Sequence, residues 1–185
     1  MKKRVLVPLA EGFEEIEAIT VLDILKRAGI ETISAGLTEG PIKGSRGIVV
    51  IPDTALHRVL DDDFDMVVLP GGLPGTTHLR LDKRIHDIVT RIHERKGYVT
   101  AICAAPSIYA ELGFLDGRKA TSHPSVADEA HFEGVDYSED RVVVDEHFIT
   151  SRSPGTAMEF AMKLVEVLAG PAMVEKVNKG VMARL

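Results

Sequence analysis

Short apolar runs alternate along this chain with longer stretches of helical period. Residues 4–9, 31–35, 47–51, 66–69, 98–102, 141–144 and 148–151 are rich in β-branched or other apolar side chains and read as strands, several of them buried. Helical spacing of apolar positions predicts helices over about 14–28, 83–95, 105–112, 124–131, 155–168 and 171–182. Gly29 after Arg27 and Ala28 reads as a helix stop, and Pro171 suits the first turn of the last helix. Such alternation predicts an α/β fold, a mostly parallel sheet with helices on both faces. There is no internal repeat and no Pro/Gly/Ser linker, so residues 1–185 read as a single domain.

Composition narrows the functional classes. A net charge of -6 with scattered Lys and Arg offers no basic stripe for phosphates, so nucleic acid is not expected as the primary ligand. No run of roughly 18 apolar residues spans a bilayer, and the start MKKRVLVPLAEGFEE turns acidic too early for a signal peptide. A cytoplasmic protein away from membranes is expected. The single cysteine, Cys103, excludes an internal disulfide and leaves either inert packing or a reactive thiol.

The neighbours of Cys103 favour reactivity. The predicted strand 98–102 runs into Cys103 and then Ala104, Ala105 and Pro106, small residues that permit a sharp strand-to-helix elbow. A thiol so placed lies near a helix N-terminus, where the dipole favours thiolate. Glu17 has Thr20, Val21, Ile24 and Ala28 at spacings of 3, 4, 7 and 11, a largely apolar face. A carboxyl held there has its pKa raised by desolvation and suits proton transfer. Glu14 and Glu15, in the first helical turn, are expected to face water. Gly71 and Gly72 end the strand 66–69 at the same sheet edge, a loop able to bring an oxyanion donor beside Cys103. Neither phosphate-loop nor dinucleotide glycine pattern is present. His57, His78, His86, His93, His131 and His147 lie in polar contexts that predict surface positions. His123, in Thr121-Ser122-His123-Pro124 before a helix, stands out. Asp61 to Asp63 reads as a solvated loop, and no metal site is expected.

Five ordered motifs, GFEEIE at 12–17, VVLPGG at 67–72, AICAAP at 101–106, SHP at 122–124 and SRSPGT at 151–156, resemble the ThiJ/PfpI superfamily. The resemblance is nearest to its DJ-one branch, with a bacterial-type member expected, and covers essentially the whole chain. It implies a flavodoxin-like three-layer sandwich, usually a homodimer, with Cys103 as elbow nucleophile and a protonated Glu17 hydrogen-bonded to it. Gly72 and Ala104 would supply backbone amides, with His123 nearby. Arg46 and Arg152 would lie near the pocket and dimer seam with Glu14, and Asp23 and Arg27 would match the first-helix pair of that interface. Ser153 departs from the glycine common in SRGPGT, which leaves its backbone open. Ala104 stands where PfpI-type peptidases carry a histidine, which disfavours peptidase activity.

Two functions follow from the resemblance. In one, Cys103 adds to methylglyoxal or glyoxal, or to early glycation adducts on proteins, with Glu17 and His123 moving protons and no cofactor. In the other, Cys103 is oxidised to a sulfinate in a redox sensor or holdase chaperone.

Overall fold

The computed structural model describes residues 2–127 and 132–184. Its strands are β1 (Arg4–Leu9), β2 (Glu31–Gly36), β3 (Ile42–Lys43), β4 (Val49–Val50), β5 (Thr54–Ala55), β6 (Met66–Leu69), β7 (Tyr98–Ile102), β8 (Lys119–Ala120), β9 (Asp136–Tyr137), β10 (Val142–Asp145) and β11 (Phe148–Ser151). Its helices are α1 (Glu15–Arg27), α2 (Gly75–Leu81), α3 (Lys83–Glu94), α4 (Pro106–Glu111), α5 (Pro124–Ala127), α6 (Ala157–Ala169) and α7 (Pro171–Val181). Seven strands make one sheet in the order β10-β11-β7-β6-β1-β2-β5, all pairs parallel except β10 with β11.

Alternation along the strands divides the core between two faces. Val5, Val7, Leu9, Met66 and Val68 pack beneath α1 and α6 against Val21, Leu25, Phe160 and Leu164. Leu6, Val67, Leu69, Val99 and Ala101 face α3 and α4 through Ile85, Ile88, Ile92 and Ile108. The result is the expected flavodoxin-like sandwich. Leu6 pairs with Val67, and Val67 with Val99, so β1, β6 and β7 end at one carboxyl edge. The chain winds outward in opposite directions from β1 and β6, and such a switch point is where open α/β sheets bind ligands.

Several expectations need correction. The run 47–51 yields only Val49–Val50, paired with β3 in a hairpin outside the main sheet, with Ile48, Val49 and Ile51 exposed. Its β-branched residues favour extended backbone, but no layer of this chain covers them. Helix α2 was not predicted, because Gly75-Thr76-Thr77 forms helix weakly; the burial of Leu79 holds it in place. The predicted helix 124–131 is seen as α5, its remainder and His131 lying outside the described residues. His93 and His147 are not free at the surface: His93 Nδ1 and His147 Nε2 lie 2.8 Å apart, with both rings against Phe148. His86 Nε2 lies 2.6 Å from the Arg80 carbonyl oxygen. In the acidic loop, Asp62 pairs with Arg4 and Asp63 with Arg95.

Candidate active site

Three strand ends build the site. Beyond β7, Cys103 has φ +66°, a left-handed conformation rare for a side chain with a Cβ. Such a backbone costs about 1–3 kcal/mol and persists only where its surroundings enforce it. Here both backbone groups are held: Cys103 N donates to Ser151 O at 2.9 Å, and Cys103 O accepts from His123 N at 2.7 Å. The elbow is thereby tied to β11 on one side and to the His123 turn on the other.

Beyond β6, the glycine loop folds onto the start of α1. Glu14 N donates to Gly71 O at 2.9 Å, and Thr76 N to Gly72 O at 2.8 Å. Gly72 has φ +91°, and a Cβ there would lie 2.4 Å from Glu14 N, so only glycine fits. Gly71 departs from its expected part. Its N–H donates to Glu17 Oε2 at 2.8 Å, which spends it on orienting the acid rather than on an oxyanion. Gly72 and Ala104 are the residues whose amides favour the thiolate.

Glu17 is fully buried on α1. Oε2 takes the Gly71 amide and the carboxyl also hydrogen-bonds the Cys103 thiol, while Oε1 is buried without a hydrogen-bond partner among the described residues. Desolvation raises Glu17 to about 7 against the lowering by Cys103 and the Gly71 amide, and the Glu14 charge raises it further. Desolvation also pushes the Cys103 thiol up, followed by the charge of Glu17 and its hydrogen bond, while the amides of Ala104 and Gly72 pull it down. The expected helix-dipole depression does not win, since α4 spans only Pro106–Glu111 and an ionised Glu17 faces the sulfur. The two groups titrate as a pair, and the thiolate belongs to the state in which Glu17 carries the proton.

A cavity of about 360 Å³ opens over the sulfur, lined by Glu14, Ser45, Arg46, Gly72, Leu73, Cys103, Ala104, His123, Ser125 and Pro154. The structure thus gathers Cys103, Glu14, Gly72, Ala104, Arg46 and His123, with Glu17 beneath. Arg152 is not among the lining residues; its Nη1 is buried without a hydrogen-bond partner among the described residues. Asp23 and Arg27 form an exposed ion pair of 2.6 Å along α1. A larger cavity of about 660 Å³ beside α6 and α7 is lined by charged and apolar residues, with no cysteine, serine or histidine among them.

Glu14 and Glu15 do not face water. Glu14 caps α1 by accepting from Glu17 N at 2.9 Å. Glu15 accepts from Arg46 N at 2.7 Å, Ile48 N at 3.3 Å and Ser45 Oγ at 3.2 Å, and so anchors the loop that brings Arg46 to the cavity. Sequence reading missed Ser45, Leu73, Ser125 and Pro154 as lining residues, and only Ser125, beside the His123-Pro124 helix start, carried a signal. Ser153 has φ -168°, extended backbone open to any residue, so the missing glycine of SRGPGT costs nothing there.

An α/β sandwich with a strained cysteine elbow, a buried acid beneath it and converging amides defines a cysteine-centred site of the flavodoxin-like class. The chain belongs to the DJ-1/PfpI family, whose model matches residues 3–167. It is 44% identical to Protein dj-1beta of Drosophila melanogaster over 98% of each chain. The crystal structure of Drosophila melanogaster DJ-1beta superposes with a TM-score of 0.96 at 42% identity, covering 100% of both chains. The Glutathione-independent glyoxalase DJR-1.2 of Caenorhabditis elegans is 38% identical over 91% of this chain and 88% of its own. Deglycase PYRAB04690 of Pyrococcus abyssi is 35% identical over 89% of this chain and 99% of its own. The expected bacterial-type affiliation is not borne out, the similarity being strong to the fly protein. Among the described residues no helix is long and apolar enough to cross a membrane.

Proposed function

We propose that this protein converts reactive dicarbonyls such as methylglyoxal, or early glycation adducts on proteins, by cofactor-free chemistry on Cys103. The carrying observation is the pairing of Cys103 with a buried Glu17 raised to about 7, beside the amides of Gly72 and Ala104. The similarity to the Caenorhabditis elegans glyoxalase and the Pyrococcus abyssi deglycase supports the same reading.

With Glu17 protonated, the Cys103 thiolate adds to the aldehyde carbon, forming a C–S bond and moving the carbonyl electron pair onto oxygen. The Gly72 and Ala104 amides stabilise that charge, and Glu17 gives its proton to the oxygen, leaving a hemithioacetal. As a carboxylate, Glu17 then takes the hydrogen from the sulfur-bearing carbon and returns it to the neighbouring carbon, while the hydroxyl proton of the hemithioacetal passes to the former ketone oxygen. The isomerised product is the thioester of a hydroxyacid. Water splits it, releasing lactate from methylglyoxal and one proton to solvent, and restoring thiolate with protonated Glu17.

The test is glutathione-free lactate production from methylglyoxal. Cys103→Ser is expected to lose about 10³-fold or more and Glu17→Gln about 10²- to 10⁴-fold. Wild-type inactivity, or full activity of Cys103→Ser, would overturn the reading.

The same geometry favours a second reading, a redox sensor or chaperone switch. A half-buried thiol flanked by amides and an acid proton suits oxidation by two equivalents of peroxide to a sulfinate, with two waters released. Uptake of two oxygens at Cys103 no faster than by a free thiol would count against it. We also assign a cytoplasmic homodimer. Ile16 and Ile19 on α1 and Ile48, Val49 and Ile51 on the hairpin are exposed apolar residues, and a second copy would cover them. Ile16→Asp is expected to shift sedimentation from dimer to monomer.

A further inference from the structure

His123 meets Ser125 through one ring nitrogen only. Ser125 N donates to His123 Nδ1 at 3.1 Å, and Ser125 Oγ lies 2.7 Å from the same atom. A backbone amide has no alternative role, so Nδ1 of the neutral ring is an acceptor and its proton resides on Nε2. The ring's backbone is equally fixed, since His123 N donates to Cys103 O at 2.7 Å. Both residues line the cavity over the sulfur, and no hydrogen bond to a described residue occupies Nε2.

We propose that Ser125 is a positioning residue that fixes His123 as the Nε2–H tautomer and so makes the ring a hydrogen-bond donor toward the cavity. A neutral imidazole with its proton on Nε2 cannot accept a proton there from carbon. It can donate to an oxygen on which negative charge develops, adding a third donor to the amides of Gly72 and Ala104. The carbon-to-carbon proton transfer then falls to Glu17. The catalytic consequence rests on the dicarbonyl reading of the site, whereas the tautomer does not.

Nitrogen-15 spectra of the full chain, labelled at histidine and recorded near pH 8, above the ordinary histidine range of about 6.5, test this directly. The His123 signals are assigned by their loss in His123→Gln. Wild type is expected to show the Nε2–H form in excess, with the ratio of Nε2–H to Nδ1–H falling about threefold or more in Ser125→Ala and recovering in Ser125→Thr. A proton on Nδ1 in wild type would overturn the tautomer assignment, and a ratio unmoved by Ser125→Ala, which keeps the Ser125 N–H, would overturn the hydroxyl's part in fixing it. In the lactate assay, Ser125→Ala is expected to lower kcat about threefold to tenfold with Ser125→Thr restoring it. An unchanged kcat despite a shifted tautomer would overturn the positioning role. Wild-type protein with the expected tautomer but no lactate production would remove the dicarbonyl reading and leave the tautomer assignment standing.

Discussion

Glu15 and Glu17 sit two residues apart on the first turn of α1, both buried, and their surroundings drive them to opposite protonation states. Glu15 turns to the 44–48 loop. Desolvation pushes its carboxyl up, but the amides of Glu15, Arg46 and Ile48 and the Ser45 hydroxyl outweigh it and hold the group below its ordinary value. Glu17 turns to the sheet edge, where it meets one amide and a thiol, and desolvation wins. Burial alone therefore does not decide whether an acid is ionised; the number of donors awaiting it does. One glutamate anchors a loop and the other keeps a proton available for chemistry.

Each acid also lies against a glycine. A Cβ at Gly44 would sit 2.4 Å from Glu15 Cδ. A Cβ at Gly71 would sit 2.7 Å from Cys103 Cβ and 2.8 Å from Glu17 Oε2. The largest expected effect is accordingly that of Gly71→Ala, which must displace the nucleophile or the acid. It is expected to cost roughly 3–4 kcal/mol in urea unfolding and to abolish selective alkylation of Cys103. Gly44→Ala meets the far end of a side chain and should cost about half as much, leaving thiol reactivity intact. Equal costs would erase the distinction between the two regions.

The pH dependence separates them by sign. The folded-state value of Glu17, about 7, lies above its unfolded 4.5, so its contribution to stability is fully present below 4.5 and lost as pH rises through about 7. Glu17→Gln, which keeps an acceptor for the Gly71 amide, should therefore gain on wild type across that window, by as much as about 3 kcal/mol at pH 8. For Glu15 the folded value lies below the unfolded 4.5, so its contribution is present above 4.5 and lost as pH falls through the folded value. Glu15→Gln is expected to cost about 1–3 kcal/mol at neutral pH and progressively less in acid. Denaturant titrations from about pH 2 to pH 8 check both, and two variants moving in the same direction with pH would break the contrast.

Much of this was legible in the chain itself. β1, β6, β7 and β11 follow from short runs rich in β-branched and apolar residues, because a parallel sheet covered on both faces needs no strict alternation. Cys103 and Glu17 stood out because each broke a local pattern, a lone thiol among small residues and an acid on an apolar face. The states of Glu14 and Glu15 were not legible, since their donors come from their own helix turn and from a loop some 30 residues away. Gly71 was assigned the wrong task for a similar reason: glycine pairs announce close approach but not which amide points where. The run 47–51 misled because β-branched composition reports extended backbone, not membership of the main sheet.

The central claim is that Glu17 carries a proton near neutrality, the state to which the Cys103 thiolate belongs. Its most direct test is a carbon-13 titration of the Glu17 carboxyl in the intact protein, assigned by its absence in Glu17→Gln. The account predicts a midpoint about pH 7, far from the ordinary carboxylate range, and a displaced midpoint in Cys103→Ala, where the thiol partner is gone. A Glu17 that titrates near 4.5 in wild type and ignores the loss of Cys103 would contradict it.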